Sequence, residues 1–208
     1  MLFKNRFDAA HELCTELTPY TQQKDCIILA IPRGGLQIGH VLSEYLHCPL
    51  DIILTKKIGY PGHKEFAIGS VSLSSVCLNE DYSRQFHNYI QDEIISIRQK
   101  LRQHYALYLG NRKPTSLKDK LVIITDDGVA TGHTLLSAID LVRQESPRSI
   151  VCAVPVGAPD SIQKILPKVD KIICLHTPSS FSAVGQFYDD FSQVSDQDVI
   201  DLLNKSTT

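Results

Sequence analysis

Short, mainly apolar runs recur along the chain at 26–31, 50–55, 121–125, 150–156 and 171–175, each bounded by charged, glycine or proline positions. Such runs are too short for helices and carry no polar alternation, which is the pattern of strands covered on both faces. Between them the spacing changes. Phe7, Ala10, Leu13 and Leu17 mark one face of a helix over 6–19,. Leu36, Ile38, Val41, Leu42 and Leu46 mark another over 36–47, ended by Cys48-Pro49,. Further helices are expected to start near Thr134 and Pro159. Residues 56–66, with two glycines and a proline, read as a mobile loop,. Residues 67–78 alternate loosely around Ser74-Ser75 and predict a β-hairpin,. Residues 82–109 are helical in composition and polar over much of their surface, and 111–119 form a basic connector. The long helix is read as solvated, with a lid or a homodimer contact as its alternatives.

Strands alternating with helices predict an α/β fold, a Rossmann-like mainly parallel sheet flanked by helices. Ligands of such sheets lie beyond the carboxyl ends of the strands, so chemistry is expected in the loops after residues 31, 55, 125, 156 and 175. The organisation expected is one domain over 1–208, with a core of about 20–60 and 118–176 and a helical and hairpin insertion at about 61–117.

Composition narrows the partners. The 208 residues are 43% hydrophobic and 21% charged, with a formal net charge of -2. No basic excess suits a nucleic acid or an anionic membrane, and no apolar run is long enough to span one. The first residues lack the apolar core of a signal peptide, so a cytoplasmic protein is expected. Six cysteines form no Cys-x-x-Cys pair and read as buried thiols,. The histidines show no ligand spacing.

Chemistry concentrates after the third of the main apolar runs. There Thr125 is followed by Asp126-Asp127-Gly128-Val129-Ala130-Thr131-Gly132-His133-Thr134. Small residues let backbone N–H groups approach an anion, Thr131 and Thr134 offer hydroxyls, and a helix start adds free N–H groups and positive partial charge. Two adjacent carboxylates beside an anion cradle make sense if the ligand also presents hydroxyls or a divalent cation. A ribose 5-phosphate unit does, its phosphate in the loop and its 2- and 3-hydroxyls on Asp126 and Asp127. The alternative is a plain Asp-Asp-Gly turn. A Walker-type loop is excluded because no Gly-Lys-Ser/Thr follows,.

This strand, carboxylate pair, small loop and Thr-Gly-x-Thr resemble the signature for 5-phosphoribosyl 1-diphosphate (PRPP) of the type I phosphoribosyltransferases. The resemblance implies a 5-phosphate loop over 128–134, catalytic Asp126 and Asp127, and magnesium reached by these two carboxylates through ribose or water. It implies a diphosphate-binding role for Pro32-Arg33-Gly34-Gly35, whose glycines bare backbone amides while Arg33 supplies a forked cation; a solvated turn is the alternative. A cis or strained peptide near Pro32-Arg33 goes with that loop. Lys57, in preference to Lys56, resembles the basic residue that adenine-using members place against the diphosphate, with solvated lysines as the alternative.

Phe181, Val184 and Asp189 resemble the acceptor hood of hypoxanthine-using members, here at about 177–195; an aromatic loop packed on the core is the alternative. Those members carry an Asp immediately before the Thr-Gly pair, where this chain has Ala130, as adenine-using members do. Proton handling then falls to another group, with Glu65 and Asp189 as candidates. The activity implied is transfer of phosphoribose from PRPP to a nitrogenous acceptor, a nucleobase or amine, with release of diphosphate. A PRPP-sensing regulator without turnover is the runner-up, and phosphorolysis or hydrolysis in the same cradle a third option.

Overall fold

Alternate side chains of the central strands fill two separate cores. The computed structural model describes residues 2–21 and 23–206, apart from the side chains of Glu65 and Glu80. Five strands, β1 (Cys26–Ala30), β2 (Leu50–Ile52), β6 (Leu121–Thr125), β7 (Ser149–Val156) and β8 (Lys171–His176), form one parallel sheet in the order β2-β1-β6-β7-β8. On one face Cys26, Ile28, Ala30, Leu121, Ile123, Val151 and Ala153 pack under α1 (Arg6–Leu17), α2 (Gly35–Leu46) and α7 (Asp196–Lys205). On the other, Ile27, Leu29, Val122, Ile124, Ile150, Cys152 and Val154 meet α5 (His133–Arg143) and α6 (Pro159–Ile165). Burial on both faces is why these strands read as continuous apolar runs.

The strand order reverses between β1 and β6. Chain connections leave a sheet on opposite sides at such a point and open a crevice beyond the carboxyl ends. The two loops at this crevice are 31–34, after β1, and 126–132, after β6. Register pairs Ala30 with Thr125, so both loops start at the same height.

The segment expected to be a mobile loop is instead ordered as strand. β3 (Lys56–Tyr60) and β4 (His63–Val71) are antiparallel around a turn at Pro61-Gly62, where Gly62 adopts φ +80°. Ile58 is fully buried against Ile68, Val71 and α4 (His87–Leu109), which gives this polar stretch its anchor. β5 (Val76–Leu78) adds a third strand, as the alternation of 67–78 predicts. The cover at this end of the molecule is therefore more than 177–195: a separate antiparallel sheet springs from the carboxyl end of β2.

Residues 82–109 divide into α3 (Glu80–Ser83) and α4. A stripe of Ile90, Ile94, Ile97, Leu101, Tyr105 and Tyr108 runs along α4. Its first four residues pack on the antiparallel sheet and its last two on the central core. One helix thus joins the insertion to the nucleus of the fold. Buried Asp51 of β2 reinforces the junction, accepting from the Tyr105 hydroxyl at 3.0 Å and the Thr115 N–H at 2.9 Å. No helix among the described residues is long and apolar enough to cross a membrane.

Candidate functional site

The loop after β6 is held by its backbone. The Val129 N–H donates to the Val156 carbonyl at 2.9 Å, and the Ala158 N–H donates to the Val129 carbonyl at 2.8 Å. The Ser161 hydroxyl donates to the Ala130 carbonyl at 2.7 Å. Gly132 turns the chain into α5 with φ +76°, a conformation that costs other residues a Cβ clash,. Ala130, Thr131, His133 and Thr134 are exposed around this turn. The first N–H groups of α5 have no carbonyl one turn back, so they face the same space. The segment that the sequence reads as an anion cradle is thus an exposed turn of small residues opening onto a helix start.

Asp126 and Asp127 are both half-buried, less open than their place at a strand end suggests. The Asp127 side chain is only 15% exposed, and its Oδ2 accepts from Nε of Arg6 at 2.7 Å. The Arg6 Nη1 donates to the Ser192 carbonyl at 2.9 Å, and its guanidinium lies 3.8 Å over the Phe191 ring. The Tyr188 hydroxyl donates to the Asp127 carbonyl at 2.6 Å. Asp126 Oδ1 accepts from the Asp127 N–H at 2.8 Å. Burial, then the neighbouring Asp127 charge, pushes the Asp126 carboxyl well above the usual carboxylate range,. Burial raises Asp127 too, against the lowering pull of Arg6. One oxygen of each carboxylate, Asp126 Oδ1 and Asp127 Oδ2, is engaged by these bonds.

The loop after β1 closes directly on this pair. A side-chain carbon added at Gly34 would collide with the Asp127 carboxylate, and one at Gly35 would stand 3.0 Å from Asp126 Cα. Both glycines are there so that two loops can touch. The Pro32-Arg33 peptide is cis. The Arg33 guanidinium, 38% exposed, lies 3.7 Å from Asp196 at the start of α7. Asp196 also accepts from the Tyr108 hydroxyl at 2.6 Å, a bond that, after burial, pushes this phenol up to about 12.

Of the expected cover residues, Val184 meets the site: a side-chain carbon on Gly128 would come within 2.6 Å of it. Phe181 is half-buried against the core with its ring 5.0 Å from that of Phe187. Asp189 is exposed, its N–H donating to the Phe3 carbonyl at 2.9 Å. Lys57 is exposed on β3 and lines a cleft with Ser137 and Asp140 of α5. Glu65 lies in β4, and its side chain falls outside the described residues. The structure therefore gathers Asp126, Asp127, Gly128, Gly34, Gly35 and Val184. No ion pair of the described residues joins Lys57 or Asp189 to that group.

Arg6, Tyr188 and Phe191 complete the arrangement and were not singled out from the sequence as parts of the site. An arginine opening an amphipathic helix after Asn5 looks solvated by its local pattern alone. The partner that makes it interior lies 121 positions away.

The chain is similar to known proteins over nearly its whole length. A family profile described as phosphoribosyl transferase domain matches residues 3–192. A Mycobacterium tuberculosis (strain H37Rv) protein, provisionally named a phosphoribosyl transferase, is 32% identical over 209 residues, covering 99% of this chain and 47% of its own length. The chain thus spans about half the length, 47%, of the curated relatives it matches end to end. The crystal structure of TT1426 from Thermus thermophilus is similar over 99% of both chains, with a TM-score of 0.88 and 33% identity. A hypothetical protein from Neisseria gonorrhoeae, solved with bound ppGpp, shares the fold at a TM-score of 0.50 and 13% identity, covering 86% of this chain and 85% of its own.

Proposed function

Because the chain belongs to the phosphoribosyl transferase domain family, we propose that it is a phosphoribosyltransferase that takes PRPP as donor and a nitrogenous acceptor, a nucleobase or an amine. The observation that carries this reading is the contact between the two loops of the crevice: Gly34 and Gly35 lie against Asp126 and Asp127. An anion cradle, a carboxylate pair and a glycine loop with an adjacent arginine are the three parts needed for a 5-phosphate, a ribose diol and a diphosphate. The carboxylate pair supplies acceptors of the kind that two ribose hydroxyls, as donors, would need.

In the reaction the anomeric C–O bond to diphosphate breaks and a C–N bond forms on the opposite face. The acceptor loses a proton, and diphosphate leaves with the bonding electron pair. The role of the chain is to hold both ends of PRPP, to stabilise the leaving anion at the 32–35 loop and to exclude water from an oxocarbenium-like centre. Val184 and Phe181 are the side chains we assign to the acceptor. Ala130 presents its carbonyl to Ser161 and brings no acid or base, so the acceptor proton goes to Asp189, Glu65 or solvent.

The donor set fits magnesium in a limited way. Asp127 is already paired with Arg6, and the described residues contain no cluster of three or more His, Cys, Asp or Glu able to enclose an ion. That suits an ion carried mainly by substrate oxygens, with Asp126 and Asp127 reaching it through ribose hydroxyls or water. When bound, magnesium supplies positive charge at the diphosphate.

The test is to incubate the protein with PRPP, magnesium and a panel of nucleobases and amines while following diphosphate release. Release that depends on one acceptor establishes the transferase. PRPP binding with no release under any acceptor favours a PRPP sensor, and failure to bind PRPP rejects the reading.

A further inference from the structure

Arg6 does more than fill a gap beside the carboxylate. Its side chain is 7% exposed, and an arginine so deeply buried persists only with its charge and donors satisfied. Three partners hold it: Asp127 through Nε, the Ser192 carbonyl through Nη1, and the face of Phe191. Phe191 in turn packs on Gly185, where an added side-chain carbon would be 2.8 Å from its ring, and on Tyr188, with ring centroids 5.1 Å apart. Tyr188 returns to the site through its hydroxyl on the Asp127 carbonyl. The circuit Asp127, Arg6, Phe191, Tyr188, Asp127 is closed. It contains the carboxylate assigned to ribose and the segment that leads out of the acceptor cover.

We propose that Arg6 is a positioning residue: it fixes Asp127 against the glycine loop and ties it to residues 188–192, so that the ribose end of the site and its C-terminal cover are ordered together. The inference rests on the reading of 126–134 as a ribose 5-phosphate site. Geometry explains the choice of arginine. Two N–H groups must point to two acceptors in different chain segments while a flat face lies on an aromatic ring. A guanidinium does this from one rigid plane; a lysine ammonium offers a point charge without the fork or the face. By engaging Oδ2, Arg6 restrains the Asp127 carboxylate beside the glycine loop. Without Arg6 the carboxylate is free to rotate and keeps an uncompensated charge beside an anion cradle.

The experiment uses Arg6→Lys, which retains the charge, in wild-type and Asp127→Asn backgrounds, with inorganic phosphate and ribose 5-phosphate as probes. Phosphate reports the cradle alone; ribose 5-phosphate adds the diol. In the wild-type background Arg6→Lys is expected to weaken ribose 5-phosphate at least about tenfold, the size of a lost charge-assisted hydrogen bond, and to leave phosphate affinity unchanged. In the Asp127→Asn background it is expected to cause no further loss, because the partner it positions is no longer a carboxylate. Hydrogen exchange at 188–192 should slow when ribose 5-phosphate binds the wild-type protein and stay unchanged in Arg6→Lys. Ribose 5-phosphate affinity untouched by Arg6→Lys, or equal losses in both backgrounds, overturns the proposal and leaves Arg6 a structural anchor. A wild-type protein with no preference for ribose 5-phosphate over phosphate overturns instead the reading on which the proposal rests.

Discussion

Gly34 lies so close to Asp127 that any side-chain carbon at position 34 would occupy the space of the carboxylate. Two loops from different strands share one volume, and the absence of a single methyl group lets them do so. Gly34→Ala is therefore expected to push Asp127 from its place on Arg6 and to weaken ribose 5-phosphate binding by tenfold or more, on the order of 1.4 kcal/mol. The central sheet does not depend on this contact, so the variant should still unfold cooperatively. Isothermal titration and a melting curve check both statements; unchanged affinity would mean that the loops do not work as a unit.

The Asp126 carboxyl makes stability depend on pH,. Burial and the Asp127 charge raise its carboxyl well above the ordinary value. The folded chain then holds this proton more tightly than the unfolded chain, so stability falls as pH rises from the ordinary carboxylate range through the raised value. Asp126→Asn removes the ionisation. The variant should melt at a higher temperature than wild type near neutral pH, and the advantage should shrink and vanish towards acid, while ribose 5-phosphate binding weakens. Melting curves across that range decide the sign; an advantage that grows on acidification would contradict the buried-carboxyl account.

Arg33 should discriminate between ligands. Its guanidinium rests near the exposed Asp196 rather than in a buried pair, so a diphosphate oxygen can replace that partner. Arg33→Ala is expected to cost PRPP about 1.5–3 kcal/mol of binding, the range for hydrogen bonds to charged groups, and ribose 5-phosphate little. Paired titrations with the two ligands test this, and equal losses would remove Arg33 from the diphosphate site.

Tyr105 tests the junction between insertion and core. Its hydroxyl is one of the donors that satisfy buried Asp51. Tyr105→Phe keeps the ring in the core and removes only that donor, so a loss of about 1–3 kcal/mol is expected. Denaturant unfolding measures it. A neutral result would show that the remaining donors suffice.

Much of this architecture is legible in the sequence because burial on both faces writes itself as uninterrupted apolar runs. The glycine loop and the carboxylate pair are likewise visible as local patterns. The failures have physical causes. Lys56 to Tyr60 looks like loop because its anchors are Ile58, buried by a sheet that the local sequence does not announce, and half-buried Tyr60, packed on Tyr82 and Phe86 further along the chain. Helix α7 was not expected, although Ser195 and Asp198 form a capping box before Val199, Leu202 and Leu203; that signal is present in the chain and is readable. The Arg6 to Asp127 pair has no local signature, since only the packing of α1 on α2 and the central sheet brings the two together.

The carboxylate pair and the loop following it are the proposed binding site for PRPP. This assignment is tested most directly by calorimetric titration of PRPP with magnesium into the wild-type protein and into the Asp126→Asn/Asp127→Asn double variant, with folding checked by circular dichroism. Saturable binding to wild type is expected, with a loss of tenfold or more, about 1.4 kcal/mol, in a double variant that remains folded. Equal PRPP affinity in the two folded proteins would contradict it.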